Sequence, residues 1–205
     1  MQWGAEMPEV VYRHPVAAPV ERVWDFVQHI GKWAPMMTGY QSHEEKSDRH
    51  SIWVLKGDVG ILSRTVTLDV KITDWSGPSR VAFALEGIGE MVSGDGSFEI
   101  LPLAEGEDAA PAEPSPAPPR PGFFGRLLRR VVALLYRRKY GALPISEASG
   151  PTRCELVFTW RMEAGGVTAP LVNAMLGPAM APAAENLAAQ IAQAVERPML
   201  AAPTP

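Results

Sequence analysis

The sequence predicts an α+β fold, a curved antiparallel sheet wrapped around a long C-terminal helix. Two observations carry that prediction. Apolar and polar residues alternate at period two in one segment after another, most cleanly over 62–72 and 154–162, as strands with one wet face do. The last regular stretch, Val167 to Glu196, is instead alanine-rich with apolar residues at helical spacing.

Taken in order, Val10, Tyr12, His14 and Val16 share one parity and form the first strand. Ala17-Ala18-Pro19 stops it, and Pro19 suits the first turn of a helix, where a missing N–H costs nothing. Val20, Val23, Trp24, Val27 and Ile30 give that helix one apolar face, and Gly31 is expected to end it. Lys32 to Met37 reads as one further broken turn before Gly39 opens a strand.

Tyr40 to Asp48 is polar on both parities, as an edge strand would be, and Ser51 to Val59 is mixed. Leu62, Val66, Leu68, Val70 and Ile72 then face one way, with Ser63, Thr65, Thr67, Asp69 and Lys71 opposite. A turn at Trp75-Ser76-Gly77-Pro78 leads to Val81, Phe83 and Leu85, and a turn at Gly87-Ile88-Gly89-Glu90 leads to Val92, Gly94, Gly96, Phe98 and Ile100. Cys154, Leu156, Phe158, Trp160 and Met162 form the clearest strand. In the final helix, Pro170, Pro178 and Pro182 are expected to kink or break the first half, leaving Glu185–Glu196 regular.

Between the strands ending near residue 103 and beginning near 151 the composition changes. Residues 104–121 are alanine, proline and acid, which reads as a semi-extended linker. Residues 123–140 form a basic amphipathic helix: Arg126, Arg129, Arg130 and Arg137 gather on one side, with Phe124, Leu127, Leu128, Val131, Leu134 and Leu135 opposite. The domain plan is therefore 1–103 with 151–200, carrying an insertion at 104–150.

The strand, Ala-Pro, helix with Val23-Trp24, second turn with Trp33 and then Gly39, followed by a meander and a long helix, resembles the START-like (SRPBCC, polyketide cyclase) superfamily. Within it the chain is most similar to the carbon monoxide dehydrogenase G-subunit family. The resemblance implies a helix-grip fold with an apolar cavity. It also implies a quinone or lipid ligand and an oxidoreductase partner, a molybdenum hydroxylase of the carbon monoxide dehydrogenase type, matured or recruited to a membrane. Members of that family often carry a proline-rich linker and membrane anchor at the C-terminus; here a proline-rich linker and an apolar segment lie inside the sheet.

Composition narrows the function classes. At 205 residues, 46% hydrophobic and 20% charged, the chain reads as a soluble globular domain, and a net charge of −4 exerts no pull toward nucleic acid. Seven of the 19 basic residues lie in 120–140, leaving 12 against 23 acidic residues elsewhere. Attraction to an anionic membrane surface is thus confined to the insertion. The single cysteine, Cys154, excludes an internal disulfide or a thiolate metal site. The four histidines show no metal-ligand spacing. No cofactor is expected. With no signal-like N-terminus and no apolar run of spanning length, the expected location is cytoplasmic, peripheral at the inner membrane face.

The inner parities nominate Tyr12, His14, Val66, Leu68, Phe83, Phe98, Phe158 and Trp160 as ligand contacts, with Trp53, Met175 and Met180 as further pocket candidates. His14 could donate a hydrogen bond to a ligand oxygen, or simply bond to backbone. Arg64, breaking the apolar parity of its strand, is expected to pair, snorkel, or hold a polar headgroup at the cavity mouth, or else to be turned outward by a register shift or bulge. Asp69, Glu155 and Glu163 lie on outward parities and read as solvated charges. Gly94 and Gly96 leave room for the helix or a ligand. No catalytic constellation is visible, so binding outweighs two rivals: a cyclase or aromatase of the same fold, which needs converging polar groups, and a protein-interaction adaptor.

Overall fold

A computed structural model describes residues 7–59, 62–103, 153–167 and 169–197. Seven strands form one antiparallel sheet in the order β1-β7-β6-β5-β4-β3-β2. β1 spans Glu9–Val16, β2 Tyr40–Ser47, β3 His50–Val59, β4 Leu62–Ser76, β5 Arg80–Gly87, β6 Val92–Pro102 and β7 Cys154–Ala164. Strands β2 to β6 follow one another as hairpins. β7 then enters between β6 and β1, so both blocks of sequence build one sheet. Pro15 is tolerated because β1 is an edge strand, and the polar β2 forms the other edge. Register shifts within β2 and between Ile72 and Asp74 of β4 add local bend and twist to the sheet.

Among the described residues three α-helices cover the concave face. Pro19 caps α1 (Val20–Val27), its carbonyl accepting from the Arg22 and Val23 N–H groups at 3.0 and 3.3 Å. The break comes earlier than expected. His29 is extended, with φ −102°, and Gly31 lies inside the next short helix, α2 (Ile30–Trp33), rather than ending the first. A 3₁₀ turn, Ala34–Met36, follows. Gly39 then takes φ +82°, and a β-carbon there would strike the Lys56 backbone. Only glycine suits that crossing.

The C-terminal helix α3 is a second correction: it runs unbroken over Ala169–Glu196. Pro170 falls in its first turn, where proline is harmless. Pro178 and Pro182 lie inside and remove two ladder donors. Packing compensates: Met180, Ala184, Leu187, Ala188, Ile191 and Val195 are buried as the helix crosses β1, β7 and α1. Three polar ties pin it. Asn173 clasps the Ala164 N–H and carbonyl at 2.7 and 3.1 Å, Gln190 donates to the Met36 carbonyl at 3.1 Å, and Glu196 accepts from the Ala17 N–H at 2.8 Å.

Trp33 closes the core. It is 1% exposed, its indole N–H donates to the Val27 carbonyl at 2.9 Å, and its ring meets Trp53, Phe83 and Phe98 at 5.2, 5.6 and 5.0 Å. Phe98 in turn stacks on Phe158 at 4.7 Å. Gly96 makes room for this cluster rather than for a helix or ligand: a β-carbon there would lie 2.5 Å from Phe83 Cζ. Trp33→Ala should cost ~3–5 kcal/mol, read as a lowered urea midpoint. Trp24→Ala, on a half-buried residue of the same helix pair, should cost clearly less.

Candidate ligand site

The candidate site lies between the concave face of the sheet and the α2–β2 connection. Trp33 and Met37 form its roof; Trp53 and Leu55 of β3, Leu68 and Val70 of β4, Phe83 and Leu85 of β5, and Phe158, Trp160 and Met162 of β7 form its walls. All eleven side chains are apolar in character, and the N–H groups of Trp33 and Trp53 are already used, the latter on Ser51 Oγ at 2.7 Å. Apart from the indole N–H of Trp160 the wall offers only shape and apolarity.

The space inside is small. Only ≈ 10 Å³ is open to the centre of a water molecule, about the room for one water. The expected unfilled cavity is thus not present in this conformation, because the large rings of Trp33, Phe83, Phe158 and Trp160 crowd the space they line. A drug-sized ligand needs ~300 Å³ or more, so binding requires the roof residues Trp33 and Met37 to move.

The inner-face prediction brings Leu68, Val70, Phe83, Phe158, Trp160 and Trp53 together on the wall. Phe98 lies one layer deeper, fully buried beneath Trp33, and Val66 packs half-buried at the edge of the core. Met180 is core, and Met175 is half-buried. Trp33, Met37, Leu55, Leu85 and Met162 are wall residues that the inner-face selection omits. Leu85 and Met162 simply continue the parities of Phe83 and Trp160, so a signal existed for them. Trp33 and Met37 reach the site through the α2–β2 turns, which parity does not describe.

Arg64 takes one of its expected fates, an ion pair. It keeps the inner parity of β4, but at that end the strand has run past its cover. Its side chain is 68% exposed and pairs with Glu90 of the β5–β6 turn. Glu155 is a correction: it is 4% exposed and bound by Arg13 at 2.6 Å. Asp69 sits between Lys71 at 3.0 Å and His50 at 2.8 Å. Burial raises its carboxyl, but these two neighbours outweigh that and hold it below its ordinary value. The membrane-contact candidates Phe124 to Arg137 lie outside the described residues.

Tyr12 and His14 stand beside the wall on β1. Tyr12 pairs in register with Phe158 and His14 with Leu156. Burial, and after it the charge of Glu185, pushes the Tyr12 phenol up to about 12. His14 is buried, neither ring nitrogen has a partner among the described residues, and burial lowers its pKa from 6.5. Cys154 is a buried thiol donating to the Ala18 carbonyl at 3.2 Å. Burial, then Glu196 and Glu21, pushes it up to about 11. It is therefore a poor nucleophile at neutral pH.

Four exposed large apolar residues gather at the end of the sheet nearest the site: Ile88 and Met91 in the β5–β6 turn, and Val167 and Leu171 at the entry to α3. Among the described residues no group of three or more His, Cys, Asp or Glu side chains could hold a metal ion, and no helix is long and apolar enough to cross a membrane.

A seven-stranded antiparallel sheet packed on one long C-terminal helix is an architecture shared with solved structures. A conserved protein from Geobacillus kaustophilus aligns at TM-score 0.58 and 13% identity, covering 91% of this chain and 94% of that one. The Zhui aromatase/cyclase from Streptomyces sp. R1128 gives 0.52 and 14%, covering 94% and 97%. A START superfamily protein from Mycobacterium smegmatis gives 0.51 and 13%, covering 91% and 98%. The fold is START-like. The sequence pattern of CoxG, the family of the G subunit of carbon monoxide dehydrogenase, matches residues 13–109, a little under half of the chain. No curated protein matches the chain in sequence. START-like architecture thus covers more than nine-tenths of the chain, and the CoxG match runs from within β1 through β6.

The lowered His14 value makes a pH prediction. A group that binds its proton less well when folded adds stability above its ordinary value of 6.5, and that stability is lost as pH falls through the lowered value. Wild type should therefore lose stability on acidification below pH ~6.5 more steeply than His14→Phe, with thermal midpoints against pH as the readout. Parallel curves for the two proteins would refute a buried, neutral His14.

Proposed function

We propose that this START-like protein is a carrier that binds an apolar small molecule of quinone or lipid size, and that it serves an oxidoreductase of the carbon monoxide dehydrogenase type. The observation that carries the reading is the wholly apolar wall on the concave face. Transfer of an apolar ligand from water to such a wall yields ~25 cal/mol per Å² covered, and no charged wall group opposes it. The CoxG match over residues 13–109 supports the choice of partner class. Because the resting space is small, the site works by expansion. Met37 is a flexible roof residue, and Pro178 and Pro182 weaken the backbone ladder of α3 between its half-buried start and its buried second half.

The insertion supplies the surface on which the carrier would load. Its attachments leave the sheet where Pro102 pairs with Cys154, at the opposite end of β6 from the exposed Ile88 and Met91. At ~3.3 Å per residue, β6 separates the two ends by ~33 Å. Residues 104–121 and 141–151, extended, reach ~55 and ~35 Å. Both arms therefore allow residues 123–140 to lie on the same anionic membrane that the apolar tips approach. The six basic residues of 123–140, with Arg120 beside them, at about 1 kcal/mol each near such a surface and with the apolar face inserted, suffice for reversible attachment.

Two measurements test this. Organic extraction of the purified protein followed by mass spectrometry should release a stoichiometric apolar molecule; a protein that carries none and takes up none from lipid extract contradicts the carrier reading. Wild type should sediment with anionic vesicles, less so at high salt, and Leu127→Glu/Val131→Glu should remain in the supernatant while folded. Indifference of wild type to anionic vesicles removes the membrane step.

A further inference from the structure

We infer that His14 selects the head of the bound molecule, and that this head is an uncharged oxygen group, a hydroxyl or carbonyl, on an otherwise apolar body. The inference rests on the carrier reading and deepens it.

The inner face of β1 carries Val10, Tyr12, His14 and Val16, and α3 covers it. Within that layer His14 is 7% exposed and has neither Nδ1 nor Nε2 bonded among the described residues. An unpaired buried polar group carries an uncompensated desolvation cost, and a leucine or phenylalanine of similar bulk would avoid it. A ligand oxygen that accepts from one nitrogen, or a hydroxyl that donates to the other, removes it. The position fits. His14 pairs with Leu156 in register, so it is the diagonal neighbour of Phe158, a wall residue. Diagonal β-carbons on one sheet face stand ~7–8 Å apart, about the reach of one aromatic ring. A ligand body filling the expanded site past Phe158 therefore delivers its end to the imidazole.

The surroundings define the charge of that end. Glu185 bears on Tyr12, the next inner residue of β1, and Glu196 and Glu21 bear on Cys154, which pairs with Val16. These carboxylates oppose a carboxylate or phosphate head. Burial, which already disfavours the charged imidazole, opposes any charged head without a counter-ion. A neutral oxygen needs no counter-ion and uses the group that lacks a partner.

The test compares ten-carbon probes, decan-1-ol, decanoate and decane, on wild type, His14→Leu and His14→Gln. Tryptophan fluorescence reports binding, because Trp33, Trp53 and Trp160 line the site. His14→Leu should weaken decan-1-ol about five- to tenfold, the worth of one hydrogen bond, and leave decane unchanged. His14→Gln, which keeps a donor and an acceptor, should retain most of the decan-1-ol affinity. Decanoate should bind wild type more weakly than decan-1-ol. Adding decan-1-ol to wild type should also shift the ¹⁵N resonances of the His14 ring, a readout that does not depend on a variant folding. Equal losses for decan-1-ol and decane in His14→Leu, decanoate binding as tightly as decan-1-ol, or unmoved ring resonances in the saturated complex would each overturn the assignment while leaving the apolar site intact. If none of the three probes binds wild type, the carrier reading itself fails and the assignment falls with it.

Discussion

The hydrogen bond from the Trp33 indole to the Val27 carbonyl holds one large ring across the middle of the concave face, and the remaining core is arranged around that ring. It can sit there because His29 breaks the helix early, turning Ile30–Trp33 inward. Once placed, it touches Trp53 on β3, Phe83 on β5 and Phe98 on β6, and through Phe98 it reaches Phe158 on β7. Four strands thus meet through one side chain. The same ring roofs the candidate site, so stability and ligand access compete for a single residue.

That competition explains why the interior is nearly filled in a fold whose architecture leaves space between sheet and helix. An empty apolar cavity forfeits contacts in proportion to its volume, and four aromatic residues recover those contacts here. The apolar lining is then a latent site rather than an open one. Its occupation depends on how cheaply Trp33 and Met37 give way. Three polar ties, at Asn173, Gln190 and Glu196, mark where α3 is fastened, and Pro178 and Pro182 mark where its backbone is weakest.

Most of the architecture was legible in period-two alternation. All seven strands were expected from parity or turn chemistry, because a sheet with one buried face writes its geometry into every second residue. Local rules failed where tertiary packing overrode them. Proline content argued for a broken α3, yet burial of Met180, Ala184 and Leu187 holds it continuous. Outward parity made Glu155 a solvated charge, yet Arg13 pairs with it in a buried position. Arg64 kept its inner parity and still reached solvent, since parity says nothing about where cover ends. The wall was half legible: Leu68, Phe83, Phe158 and Trp160 follow from alternation, whereas Trp33 and Met37 depend on turns that alternation cannot orient.

The central claim is that the space roofed by Trp33 and Met37 expands to hold an apolar molecule. Methyl-resolved NMR during titration with a decyl-tailed benzoquinone tests it most directly. The account predicts shifts concentrated on the methyls of Met37, Leu55, Leu68, Leu85 and Met162, together with a new environment for the Trp33 indole N–H. Shifts confined to the exposed Ile88, Met91, Val167 and Leu171, or none at saturating quinone, would contradict it.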